Sequence, residues 1–153
     1  MPSRAKEKNS EVLIEGRVFV ALLKAADALS QDAEHLLKSQ SLTGAQYNVL
    51  RILRGAEPDG LPCKGIGDRM ISHDPDITRL LDRMEKRQMI IRERQTDDRR
   101  VVRTRITAQG LETLKKLDQP VRELHRSQFR RVSQARLRVL EDLLQEVSSD
   151  DTK

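Results

Sequence analysis

The stretch that decides the fold occupies residues 74–107 and reads DPDITRLLDRMEKRQMIIRERQTDDRRVVRTRIT. It opens with a helix start signal, because Asp74 can act as an N-cap acceptor and Pro75 suits the first helical position, where its missing N–H is not needed. Apolar residues then recur at helical spacing and predict one buried face. They are Ile77, Leu80, Leu81 and Met84. The opposite face of this helix is polar and is predicted to lie in solvent.

The second half of the stretch predicts a charged β-hairpin. Two β-prone runs, 90–95 and 101–107, flank a polar turn. Eight basic and three acidic residues lie between Lys86 and Arg105, so this segment alone accounts for the formal net charge of +5 on the whole chain. Positive charge concentrated in this way favours a polyanionic partner.

Three helical patterns precede this stretch. Residues 12–37 carry apolar side chains at steps of three and four, which predicts a long amphipathic helix. A second helix begins with a capping box formed by Thr43 and Gln46. After a predicted loop at 56–62, residues 63–70 keep helical spacing for about two turns, although two glycines make that helix intrinsically weak.

Two more helices are predicted after the hairpin. Thr107 can cap the first, and Pro120 within it should kink it. The last helix follows Ser133 and carries a seam of apolar residues at steps of three, four and three, a spacing typical of helix-on-helix packing. The seam consists of Leu137, Leu140, Leu144 and Val147. Residues 148–153 are expected to fray.

This order of elements predicts a winged helix-turn-helix, a mainly α fold with a small β-hairpin wing, in the α+β class. The predicted division is an N-terminal dimerisation helix at 1–40, the winged unit at 41–107 and C-terminal dimerisation helices at 108–153. In such a unit the second helix fits the DNA major groove, which is roughly 12 Å wide. Arginines on the hairpin would enter the narrow minor groove or contact the phosphates beside it.

Further motifs are LTGAQYNVL at 42–50, ITRLLDRMEKR at 77–87, and DRR at 98–100 followed by ITAQG at 106–110. Together they resemble the MarR family of bacterial regulators. The resemblance implies a homodimer that binds double-stranded DNA through the winged unit. Arg100 resembles the wing-tip arginine that reaches the minor groove, and Asp98 resembles the acid that orients arginines at the base of the wing. Gln88 departs from the glycine usual after the recognition helix, which leaves the exact end of that helix open, because a left-handed conformation is unfavourable for a non-glycine residue.

The residues expected to contact DNA lie on the recognition helix, on the turn before it or on the hairpin. They are His73, Asp76, Thr78, Arg79, Arg83, Asp98, Arg99, Arg100 and Arg103. An alternative for Arg79 and Arg83 is an ion pair within the helix with Asp76 or Asp82.

The resemblance also implies a repressor of a pseudo-palindromic operator that is released by a small molecule. The ligand is expected in the cleft between the dimerisation helices and the winged unit. Candidate lining residues are Arg17, His35 and Tyr47.

Other classes of protein receive little support from the sequence. The chain shows no catalytic constellation, no cofactor motif and no metal-ligand spacing, so we expect neither an enzyme nor a metal site. No run approaches the roughly 18 apolar residues that span a bilayer, and no apolar segment follows the basic start, so a cytoplasmic protein without a membrane partner is expected. Two alternatives stay open, a non-specific architectural nucleic-acid-binding protein and a redox-responsive regulator acting through Cys63, the single cysteine.

Overall fold

The computed structural model describes residues 13–149, which form six α-helices and one three-stranded antiparallel sheet. The helices are α1 (Ile14–Leu37), α2 (Gly44–Gly55), α3 (Cys63–Gly67), α4 (Ile77–Lys86), α5 (Ala108–Gln128) and α6 (Gln134–Ser148). The strands are β1 (Leu61–Pro62), β2 (Ile90–Arg94) and β3 (Val102–Ile106), in the order β1-β3-β2. The predicted fold class is confirmed. The expectations for residues 1–12 and 150–153 lie outside the described residues.

Local capping signals position the helices around the winged unit. The Thr43 Oγ1 atom accepts from the Gln46 N–H at 3.2 Å, and the Gln46 side chain accepts from the Thr43 N–H at 3.1 Å, which confirms the capping box. Thr107 caps α5 by accepting from the Gly110 N–H, and its hydroxyl donates to the Gln88 carbonyl at 2.6 Å. Thr107 therefore joins the start of α5 to the turn that follows α4.

The predicted start of α4 at Asp74 and Pro75 is wrong by two residues. Asp74 Oδ1 accepts from the Asp76 N–H at 2.8 Å and so closes a turn instead of capping the helix. Asp76 is the N-cap, and its carboxylate accepts from the Arg79 N–H at 3.3 Å. The helix begins at Ile77 because the second of two neighbouring aspartates reaches the free N–H groups of the first turn.

The third helix is shorter than the two turns predicted. It covers only Cys63–Gly67. After it, the Arg69 N–H donates to the Ile66 carbonyl at 3.0 Å, and the Met70 N–H donates to the Gly67 carbonyl at 3.2 Å. These bonds join residues three apart, the pattern with which a helix commonly ends. The two glycines named above explain the early end, since glycine lowers helix propensity.

The segment 56–62 is not entirely a loop, contrary to the prediction. Its last two residues form β1, in which Leu61 pairs with Thr104 and Pro62 pairs with Arg103 of β3. Proline is tolerated there because β1 is an edge strand, where one row of N–H groups needs no partner. The hairpin is therefore part of a three-stranded sheet.

Fully buried apolar side chains from α2, α3, α4, β2 and α5 form one core beneath the hairpin. They include Leu50, Leu53, Ile66, Leu81, Met84, Ile90, Leu114 and Leu117. By contrast, α6 has no buried residue within the single chain. The winged unit and α5 thus share one core, while much of the apolar surface of α1 and α6 lies outside it.

The turn after α4 is left-handed although a non-glycine residue, Gln88, occupies it. Gln88 has a φ of 57°, in the left-handed region, and the Met89 N–H donates to the Met84 carbonyl at 3.1 Å. This bond satisfies a terminal carbonyl of α4 and sends the chain directly into β2. The kink at Pro120 stays a prediction, and α5 runs without a break past that residue.

Candidate nucleic-acid interface

Helix α4 has one exposed polar face and one buried apolar face, which anchors the helix in the core. Thr78, Arg79 and Arg83 are exposed, whereas the next residues around the helix, Leu80 and Leu81, are buried. Arg79 lies 3.9 Å from the Asp76 carboxylate, so the ion pair considered as an alternative is present but long. The Arg83 side chain donates to the Arg79 carbonyl at 3.3 Å and forms no ion pair within residues 13–149.

The hairpin tip presents Arg99 and Arg100, both of which are exposed. Its turn is closed by backbone bonds from Gln95 to Val101 and from Val101 to Asp98, each at 3.0 Å. Asp98 Oδ1 also accepts from the Arg100 N–H at 3.0 Å. Asp98 therefore orders the wing tip through the backbone of Arg100, and no guanidinium contact of Asp98 is seen within the described residues.

Arg103 lies away from the tip and is only half exposed. One of its terminal nitrogens donates to the Gly60 carbonyl at 3.1 Å, and its Nε atom is buried without a hydrogen-bond partner. Its contact with DNA stays a prediction. The structure gives this arginine a packing role against the loop that leads into β1.

The sequence did not reveal an ionic cluster between α4 and β2, here called the Arg92 cluster and formed by Asp82, Glu85 and Arg92. The Arg92 side chain lies 2.6 Å from Asp82 Oδ1, and its Nε atom donates to Glu85 Oε2 at 3.0 Å. The Arg92 backbone N–H donates to Glu85 Oε1 at 3.1 Å. Hydrogen bonding from Arg92 is the largest cause of a lowered pKa at Glu85, against an opposing effect of burial, and the same bond raises the pKa of Arg92.

A cavity of about 860 Å³ lies between α1, α2, α5 and the segment 70–75 that leads into α4. Ala33, Leu37, Ala45, Ile52 and Met70 contribute apolar wall. The polar groups that line it include Tyr47, Asn48, Arg51, His73 and His125. The Arg51 guanidinium lies 5.9 Å from the centre of the Tyr47 ring, within the range of a cation–π contact. The cavity offers an apolar space with a few polar groups, as small-molecule sites do.

Two of the three predicted lining residues do not reach this cavity in the single chain. Tyr47 lines it, but Arg17 and His35 do not. On α1 the cavity is lined by Ser30, Ala33, Glu34 and Leu37, a single helical stripe. His35 falls off that stripe, and Arg17 is more than three turns away. The sequence could have suggested Arg51, which stands four residues after Tyr47 on α2, whereas nothing local indicates His125.

His73 and Cys63 occupy contrasting positions. His73 is exposed in the segment before α4 and also lines the cavity, and its contact with DNA stays a prediction. Cys63 is partly buried and packs against the core at the start of α3.

Within residues 13–149, every helix is too short or too polar to cross a bilayer.

An exposed helix face beside an arginine-tipped hairpin, both supported by one core, defines a winged helix-turn-helix protein. The MarR family model matches residues 42–102. A MarR transcription factor from Planctomyces limnophilus is 34% identical, with 87% of this chain and 96% of that one covered and a TM-score of 0.68. The chain therefore belongs to the MarR family of transcriptional regulators.

Two more distant relatives have similar lengths. The homoprotocatechuate degradative operon repressor of Escherichia coli is 25% identical over 127 residues, which cover 83% of this chain and 84% of the relative. A mutant MarR from E. coli, solved in complex with operator DNA, has a TM-score of 0.79 and 22% identity, over 92% of this chain and 97% of that one. The second likeness shows the shared fold.

Proposed function

We propose that this chain is a homodimeric repressor that binds a pseudo-palindromic operator in double-stranded DNA and is released by a small molecule. The observation that carries the proposal is the exposed polar face of α4 next to the exposed arginines of the wing tip. An α-helix fits the major groove, and arginines favour the negative potential of the adjacent narrow minor groove.

The proposed contacts divide by their chemistry. Thr78, Arg79 and Arg83 face outward from α4 and are suited to base edges or phosphates, while Arg99 and Arg100 extend from the hairpin. The turn before α4 adds His73 and Asp76, and Asp98 and Arg103 complete the set by supporting the wing. Exposure supports the first five contacts directly.

Dimerisation is proposed through the terminal helices, at 1–40 and 108–153, with the winged unit at 41–107 between them. Large apolar side chains are exposed along α1 and α6 in the single chain, among them Phe19 at 62%, Leu143 at 52% and Val147 at 75%. Exposed apolar side chains of this size and number are typical of an interaction site. A two-fold pair would present two α4 helices to half-sites about 34 to 36 Å apart.

Release by a small molecule is supported by the walls of the cavity. Residues 70–75 form one wall and lead directly into the N-terminus of α4. A ligand that binds better when this segment is displaced would shift the chain toward a conformation in which the two α4 helices no longer match the half-sites. The E. coli relative that is named as an operon repressor supports the sign of regulation.

The test is selection of bound duplexes from a random pool, followed by titration of the selected and a scrambled duplex at one salt concentration. A specific dimer should prefer its selected site by about 10³-fold or more. Equal affinity for both duplexes would instead favour the non-specific architectural alternative. Adding small organic molecules to the bound complex then tests release, and a peroxide-treated sample of wild type and Cys63→Ser tests the redox alternative.

The wing is tested by Arg100→Ala, which should weaken operator binding and lower the slope of log affinity against log salt by about one. Lys116→Ala is the matched control, because Lys116 is an exposed basic residue on α5, outside the proposed interface. Unchanged affinity for Arg100→Ala would remove the wing tip from the contacts.

A further inference from the structure

The Arg92 cluster joins the two elements that the proposed function places in neighbouring grooves. Arg92 belongs to β2, the strand that leads to the wing tip, while Asp82 and Glu85 lie one helical turn apart on α4. Its guanidinium contacts both carboxylates, and its backbone N–H contacts one of them. The contact thus fixes both the side chain and the main chain of the strand against the helix.

The core and strand β1 hold the base of the hairpin and its β3 side, because Thr104 is fully buried and β3 pairs with β1. On the β2 side, Leu81, Met84 and Ile90 are fully buried, but β2 beyond Ile90 is largely exposed, so the Arg92 cluster is its polar contact with α4. A strand rises about 3.3 Å per residue, so the tip lies roughly 20 Å from the base, and a tilt of about 10° would displace it by roughly 3 Å. A displacement of that size is enough to break a hydrogen bond between the wing tip and the DNA.

The cluster also adjusts the charge of the reading face. Asp82 and Glu85 share α4 with Arg79, Arg83 and Lys86. Two unpaired carboxylates at this place would repel DNA phosphates, and the guanidinium of Arg92 offsets their charge.

We propose that Arg92 is a positioning residue for DNA binding. Through Asp82 and Glu85 it holds the hairpin at a fixed angle to α4, so that the wing tip and the recognition helix engage the duplex as one rigid body. The inference rests on the proposed function and adds to it a residue that touches neither base nor phosphate.

The test is a double-mutant cycle between Arg92→Gln and Arg100→Ala, measured as affinity for the selected duplex. With the hairpin held in place, Arg100 contributes its full contact. With the hairpin loosened, part of that contact is offset by the entropy of ordering the wing. We therefore expect the fold-loss caused by Arg100→Ala to be at least about threefold smaller in the Arg92→Gln background than in wild type, a coupling within the range seen for linked residues.

The matched control is Arg105→Gln. Arg105 lies on β3 of the same hairpin and contacts Glu93 of β2 at 3.4 Å, so its partner belongs to the hairpin and not to α4. The loss caused by Arg100→Ala should be unchanged in this background. Arg92→Lys should give an intermediate coupling, because an ammonium keeps the charge but lacks the planar fork that reaches two carboxylates.

Thermal unfolding of each variant distinguishes a positioning role of Arg92 from loss of the fold. A partly unfolded variant binds all duplexes more weakly, but the fold-loss of affinity caused by Arg100→Ala is the same in it as in wild type. If Arg92→Gln unfolds, Arg92→Lys and Glu85→Gln provide the same cycle. An equal Arg100→Ala penalty in all backgrounds would overturn this inference while leaving the proposed function standing. A wild-type protein that binds no duplex would overturn both.

Discussion

Gly110, at the start of α5, is a residue whose identity is fixed by its packing. A Cβ atom there would collide with the Met89 carbonyl oxygen and would lie 2.7 Å from Ile106 Cγ1. The turn after α4 and the end of β3 thus close on this position. We predict that Gly110→Ala lowers the free energy of unfolding by about 1–3 kcal/mol, as overpacking of a filled site does, measured by urea denaturation.

Gly44→Ala is the matched control for that measurement. Gly44 also stands in the first turn of a helix, α2, but a Cβ atom there would meet nothing within 4 Å. The substitution should leave stability unchanged or raise it slightly, because alanine has the higher helix propensity. Equal losses at both glycines would show that the close approach at Gly110 is relieved by backbone movement.

At the scale of elements, the contact between α4 and β2 makes their association depend on pH. Arg92 lowers the pKa of Glu85 in the folded chain, so the folded form holds the proton less tightly than the unfolded chain does. The stabilisation is therefore fully present above the unfolded pKa and is lost as the pH falls through the lowered value. We predict that the free energy of unfolding drops more between pH 7 and pH 3 for wild type than for Glu85→Gln, which has no proton to gain there. Parallel curves for the two proteins would contradict this.

The elements that the sequence predicted well are those with local signals. The capping box at Thr43 and Gln46 and the buried apolar stripe of α4 each depend on residues that lie close together in the sequence. Strand β1 escaped prediction because two residues, one of them proline, carry no strand pattern and gain their partners some 40 residues later in the chain.

The candidate site shows the same difference between features with local sequence signals and features that depend on the fold. The exposure of Thr78, Arg99 and Arg100 follows from local patterns and agrees with the structure, although their contacts with DNA remain proposals. The Arg92 cluster was missed because a strand arginine and two helix carboxylates become neighbours only when the chain turns back after α4. Arg17 and His35 do not line the cavity of the single chain, because the stripe of α1 that faces it can be identified only once the helices are packed, and their contact with a ligand stays a prediction.

For the whole molecule, the exposed seam of α6 predicts that the single chain is not the working form. Leu140 and Leu144 are 39% and 38% exposed, and no residue of α6 is buried in the single chain. Leu144→Glu should therefore shift the mass measured by light scattering toward that of one chain and weaken operator binding. The winged unit should keep its fold, because Leu144 is not part of its core.

Lys116→Glu provides a control for self-association, since it introduces a glutamate at an exposed position of α5 outside the seam and lowers the net charge by more than Leu144→Glu does. Its mass and operator affinity should match those of wild type within the change expected from charge alone. If the Leu144→Glu variant still formed a stable dimer, the dimer interface would lie on another surface of the terminal helices and not on the seam of α6.

The placement of the cavity has a consequence for how relatives of this protein diverge. Its α1 and α2 walls, such as Ala33 and Tyr47, are separate in sequence from the reading face, whereas the wall at 70–75 runs directly into α4. On the proposed function, gene duplicates could therefore acquire a new chemical signal through changes on the first two walls while still recognising the ancestral promoter. A change in the third wall alters both traits together.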